Sequence, residues 1–251
     1  MFRFLFNPRY PLFLLVLFIA YATLWAIRPV NFNNWMLENV LTAIAVAFLV
    51  WSYRRLALSN ISYTLIFLFL CLHTIGAHYT YSRVPLDEWF QSVFGITASE
   101  MFGWERRNFD RVVHFSFGLL ISYPVREVFM RVARARGFWS YYLPLDVTIS
   151  LSALYELIEW GAAAAFGGEL GQAYLGTQGD EWDAHKDMAL ASLGALLSMV
   201  IVALINWKFD KRFGDEWRQS FDATGRPPLG ERRLAELLSG QAAPADADAP
   251  K

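Results

Sequence analysis

Long apolar runs separated by short polar breaks set the pattern of this chain. Pro11 to Ile27 is almost wholly apolar, Arg28-Pro29 ends it, and Asn31 to Asn34 form a polar turn before a second run, Leu37 to Tyr53, which stops at Arg54-Arg55. Further runs extend from Ile61 to Tyr79, from Asp110 to about Met130, from Tyr141 to Phe166, and from about His185 to Trp207. At a rise of about 1.5 Å per residue, each approaches or exceeds the length needed to cross about 30 Å of hydrocarbon. The pattern predicts an all-α polytopic membrane protein, a bundle of about six transmembrane helices over residues 11–27, 37–53, 61–79, 110–130, 141–166 and 185–207. Ala20-Tyr21-Ala22 has the look of a signal cleavage site, but apolar spans continue well past it, so the first run reads as a retained helix.

Two long connectors interrupt the runs. Thr80 to Phe109 contains Pro85, Gly95 and Gly103 but is too apolar at Trp89-Phe90 and Phe94 for a free linker, and is expected to fold back on the membrane surface. Gly167 to Ala184 is glycine-rich and acidic. Residues 1–217 then form one membrane domain. Residues 218–251 read as a largely disordered cytoplasmic tail, with room for a short helix around Glu231 to Leu238.

Composition agrees, with 55% hydrophobic and 17% aromatic residues. The formal net charge of −1 matters less than where the charges fall. One side of the predicted bundle receives Arg3, Arg9, Arg54, Arg55, Arg126, Arg131, Arg134, Arg136, Lys208, Lys211 and Arg212. The other receives Arg28, Arg83, Arg106, Arg107, Arg111 and Lys186. By the positive-inside rule the first side, with both termini, is cytoplasmic. The single cysteine, Cys71, excludes an intrachain disulfide and reads as a small core hydrophobe, and no Cys/His framework suggests structural zinc. Trp25, Trp51, Trp139, Trp160 and Trp207 lie near span ends as interfacial anchors, and Gly118, Gly161 and Gly194 are expected to permit close helix packing. No phosphate-cradling loop, nucleophile elbow or basic aromatic surface for nucleic acid is present.

The candidate chemistry lies in the spans. A carboxylate within hydrocarbon costs roughly 2.5–3.5 kcal/mol on insertion scales, yet Glu156 and Glu159 interrupt the fifth run. Three residues apart, they are expected to share a helical face. The predicted topology brings His73 and His78, Asp110 and His114, and Asp183 and Asp187 to the same extracytoplasmic depth, with Gln178, Asp180, Trp182 and His185 in the adjoining connector. Carboxylates and imidazoles in a dry pocket are ligands for Zn²⁺, Mn²⁺ or iron. Asp110, His114, Glu156, Glu159 and Asp187 are the candidate metal ligands, and His73 or His78 the candidate general acid/base. Gln178, Asp180, Trp182 and Asp183 are further pocket residues. Two alternatives remain open: a structural network in which Arg111, Arg107 or Lys186 neutralises the carboxylates, and a proton or ion path, for which Asp146 alone continues the line of ionisable groups.

Phe109-Asp110-Arg111-Val-Val-His114-Phe-Ser-Phe-Gly118, Tyr155-Glu156-Leu-Ile-Glu159, and Gln178-Gly-Asp180-Glu-Trp182-Asp183 with Asp187 and Gly194 resemble the YjdF-like bacterial inner-membrane proteins (DUF2238). The resemblance covers roughly Leu37 to Trp207 and implies a multi-pass inner-membrane protein of unestablished activity. Asp110, His114, Glu156 and Asp187 also resemble the outline of VanZ-like membrane proteins, which implies a setting among envelope lipids or wall precursors. The leading expectation is metal-assisted binding or hydrolysis of a cell-envelope lipid or precursor by a protein in contact with membrane lipids. A transporter or ion-coupled permease and a non-catalytic membrane accessory protein are the alternatives.

Overall fold

Pro11 stands in the first turn of α1 (Tyr10–Trp25), where a missing N–H leaves no hydrogen bond unmade. The chain is known from a computed structural model, which describes residues 9–104, 106–168, 171, 175, 177–222, 224, 238 and 239. Arg3, the tail from Gln241 onward, and all but Leu238 of the expected helix at Glu231 to Leu238 lie outside the described residues. Helix α2 (Phe32–Ser52) is capped by Asn31, whose side chain accepts from Asn34 N at 3.1 Å. Helix α3 (Asn60–His78) is capped in the same way by Ser59. The long helices α6 (Phe109–Arg131), α7 (Trp139–Phe166) and α8 (Asp183–Phe209) complete the bundle. Among the described residues every regular element is a helix, as an all-α polytopic membrane protein requires.

Among the described residues three helices, α2, α3 and α8, are long and apolar enough to cross a bilayer by themselves, and α1 is a shorter apolar helix. Helix α6 carries Asp110, Arg111, His114, Arg126, Glu127 and Arg131, and α7 carries Asp146, Glu156 and Glu159. The first connector folds into two short helices, α4 (Leu86–Phe94) and α5 (Ala98–Phe102), with Val93 and Phe94 exposed. Thr97 and Glu100 form a reciprocal cap at the start of α5.

Contacts between helix ends fix the arrangement. The end of the bundle where α2, α6 and α8 begin is the distal end, and the end where α3 and α7 begin is the proximal end. At the distal end, Val30 N, just before α2, donates to His78 O of α3, and Arg106, just before α6, pairs with Asp183 at the start of α8. At the proximal end, Glu127 of α6 accepts from Ser59 N at 2.8 Å and from Ser62 Oγ at 2.6 Å. A carboxylate at the start of α3 suits the positive end of that helix. Asn206 of α8 meets Tyr141 of α7 at the same end. The chain stays packed beyond residue 217: α9 (Phe213–Gln219) sets Phe213 and Trp217 against Tyr141 and Phe138, and Ser220 Oγ accepts from Phe138 N.

Helices α6 and α8 form the closest pair. A Cβ on Gly118 would collide with Ala191 O, and one on Gly194 with Phe115 O, so each helix lays its backbone against the other's small residues. Gly161 does not serve this purpose: among the described residues a Cβ there meets nothing within 4 Å. It sits on an open face of α7, which its sequence context could not distinguish from a packed one. Gly118→Val is expected to lower stability by about 1–3 kcal/mol through overpacking, read as a fall in thermal midpoint of the purified protein, whereas Gly161→Val leaves the midpoint unchanged.

Candidate functional site

A cavity of about 430 Å³ occupies the distal half of the bundle between α2, α3, α6, α7 and α8. Its walls are mainly apolar, with Glu38, His73, Asp110, His114, Glu159, Asp183 and Asp187 among the lining residues. Leu151, Leu154 and Ile158 line it and are also exposed, which places its open flank on the α7 side.

Helical spacing gathers the polar groups. Asp110 and His114 are four apart on α6, as are Asp183 and Asp187 on α8, and the glycine seam presses these two helices together. Ligand atoms of His114, Glu156 and Asp187 all lie within 4.8 Å of one another, and the same holds for Asp110, Asp183 and Asp187. His114 Nε2 is 3.4 Å from Glu156 Oε1. Among the described residues, Glu156 Oε1 and Asp187 Oδ1 are buried with no hydrogen-bond partner. Glu156 does not line the cavity itself; its carboxylate reaches the wall formed by His114 and Asp187.

In the second trio, Asp110 and Asp183 are neutralised and Asp187 is not. Arg106 pairs with Asp183 and reaches Asp110 at 3.2 Å. Nearer the rim, Arg111 and Lys186 contact Asp180 Oδ2 at 2.6 Å and 2.7 Å. The hydrogen bond from Lys186 is the main reason the Asp180 carboxyl is held below its ordinary value of 3.8. Arg107 turns away to Glu88.

Several expected site residues are placed elsewhere. Glu159 belongs to neither trio. Three residues along a helix leave about 60° between side chains, and Glu159 lines the cavity, as Glu38 of α2 does, while Glu156 reaches His114 and Asp187. His78 is outside the cavity: its Nδ1 is 2.7 Å from Trp25 O, and its ring packs edge-on against Trp25 and Tyr79. It ties α3 to the end of α1. Gln178 donates to Arg107 O at 2.9 Å, and Trp182 is exposed against His185; both belong to the rim.

His73 does face the cavity, with both ring nitrogens engaged. Nε2 is 3.2 Å from Glu38 O, and Nδ1 meets the Tyr81 hydroxyl. Thr80 and Tyr81 both adopt left-handed backbone, φ 55° and 51°, and Gly76 leaves room for the Tyr81 ring. Strain of this kind persists only where surrounding contacts hold it.

Sequence reading missed Glu38 and Tyr81. Glu38 is 4% exposed and accepts from Tyr155 Oη at 3.3 Å. The signal was available in the spacing: Asn34, Glu38 and Thr42 recur every four residues and are the buried residues of α2, whose other faces are apolar and outward.

Residues 10–208 match the family described as "Predicted membrane protein (DUF2238)". The chain belongs to that family. It is 37% identical over 182 residues to "Inner membrane protein YjdF" of Escherichia coli (strain K12), an alignment covering 72% of this chain and 83% of that protein. No solved structure matches. With its apolar helices, this membership makes the chain a multi-pass inner-membrane protein.

Two outcomes are expected at the site. Arg106→Gln removes the cation shared by Asp110 and Asp183, leaving Asp183 only Arg111 at 3.8 Å, and is expected to destabilise the protein by roughly 3–5 kcal/mol, measured by thermal unfolding. Because the folded-state pKa of Asp180 is depressed, its ion pairs contribute fully above the ordinary value of 3.8 and are lost as pH falls through the folded value. Amide exchange in residues 177–183 should therefore accelerate at the acid end of a titration, and Asp180→Asn should abolish that dependence.

Proposed function

We propose that this protein binds the polar head of a cell-envelope lipid or lipid-linked precursor, with a divalent cation held by His114, Glu156 and Asp187. One observation carries the reading: two carboxylate oxygens, Glu156 Oε1 and Asp187 Oδ1, are buried beside an imidazole nitrogen without a hydrogen-bond partner among the described residues. Charges in such surroundings are compensated by a counter-charge or a proton. The nearest cations, Arg106 and Arg111, are engaged with Asp110, Asp183 and Asp180.

The mixed nitrogen and oxygen set fits Zn²⁺, Mn²⁺ or iron. A divalent ion there would neutralise the carboxylates and act as a Lewis acid toward a phosphoryl or carbonyl oxygen. The protein's own groups do the rest. The apolar walls exclude water, Arg106 fixes Asp110 and Asp183, and His73 orients the Tyr81 hydroxyl beside the cavity. Any acid or base role for His73 passes through Tyr81. The arginines and lysines clustered at the proximal end support a cytoplasmic assignment for that end and an extracytoplasmic one for the cavity.

A transport path would need ionisable groups continuing toward the proximal end. Asp146, the residue suited to that role, is exposed and does not line the cavity, which weighs against such a path. Elemental analysis of the purified protein tests the cation: bound divalent metal is expected in the wild type and much less in Glu156→Gln and Asp187→Asn. A metal-free wild type, or equal content in all three, would remove the proposal.

A further inference from the structure

A second cavity, of about 310 Å³, lies in the proximal half of the bundle between α1, α2 and α3. Among the described residues its lining carries no charge, and Tyr53 and Tyr63 line its far end. The two cavities follow one another along α2, the first ending on that helix at Ala45 and the second beginning at Val46. On α3, Leu70 lines both. From Glu38 to Tyr53 the seam runs 15 residues, about 22 Å of helix. One leaflet of hydrocarbon is about 15 Å deep, so the seam has room for a whole long acyl chain.

We infer that the two cavities form one groove beneath α2 that takes a single acyl chain of a membrane lipid, its polar head at the carboxylate end and its terminal methyl near Tyr53, with Leu70 as the threshold. This rests on the proposed lipid headgroup site and names the kind of molecule that site receives. The gradient along the groove supports the orientation. Carboxylates, two imidazoles and the Tyr81 hydroxyl line the distal cavity, while the proximal one is apolar up to its two tyrosines. Burying the chain there requires no polar partner, and the headgroup stays beside the uncompensated oxygens of Glu156 and Asp187.

Photolabelling of the full chain in lipid nanodiscs tests this. The probe is lysophosphatidic acid carrying a photoreactive group at the last carbon of its single palmitoyl chain. The expected label falls within Leu49–Tyr53 and Tyr63–Phe67, while an octanoyl probe labels beside Ala45 and Leu70 instead. Leu70→Trp should reduce proximal labelling about tenfold, the size of effect that overpacking gives, with metal content unchanged; Leu70→Ala should retain it. Proximal labelling indifferent to Leu70→Trp, palmitoyl and octanoyl probes marking the same residues, or crosslinks to a second copy of the chain would each overturn the groove. The position of the octanoyl label decides the matter even where Leu70→Trp does not fold. A metal-free wild type that still sorts the probes by length would sink the cation while leaving the groove standing.

Discussion

The close crossing of α6 and α8 is the constraint on which the rest depends. With Gly118 against Ala191 and Gly194 against Phe115, two backbones meet where any side chain would hold them apart. Without water to drive helices together, such contacts supply much of the association in a bilayer. The crossing also sets depth. One turn toward the distal end from Gly118 stands His114, and about two turns from Gly194 stands Asp187, so the seam that joins the helices also makes an imidazole and a carboxylate neighbours.

Charge is distributed unequally around that seam. At the rim, Asp180 has Arg111 and Lys186; just below, Asp110 and Asp183 share Arg106; at the opposite end, Glu127 is occupied by the first turn of α3 and by Arg131. These pairs have structural work to do, since removing one partner strands a charge in a poor solvent for it. Glu156 and Asp187, which have no Arg or Lys partner among the described residues, cluster with His114. A membrane protein keeps uncompensated carboxylates at such depth only where something else compensates them.

Much of this was legible in the sequence. Hydrophobic run lengths located all six long helices to within a few residues, with the largest difference at α2, which begins at Phe32 instead of Leu37 because Asn31 caps it. The four-residue spacings of Asp110 with His114 and of Asp183 with Asp187 placed each pair on one face. Other features were not legible. Glu156 and Glu159 diverge because a spacing of three rotates side chains apart by enough to reach different neighbours. His78 looked equivalent to His73, but their ring nitrogens find different backbone carbonyls, Trp25 O and Glu38 O, and no local pattern reveals which. The role of Arg106 depends on a partner 77 positions away along the chain. Glu38 was passed over because it sits at the edge of an apolar run, although its stripe with Asn34 and Thr42 was there to be counted.

That stripe makes α2 a helix with one permitted phase. A single residue added or removed between Asn31 and Glu38 would turn Glu38 and Thr42 through about 100°, facing them into the lipid and swinging greasy side chains over the acids. The turns at either end of the helix are under no such discipline. Variation in the length of this protein should therefore be tolerated between its membrane segments and penalised within this one, even though α2 is among the least enclosed helices of the bundle.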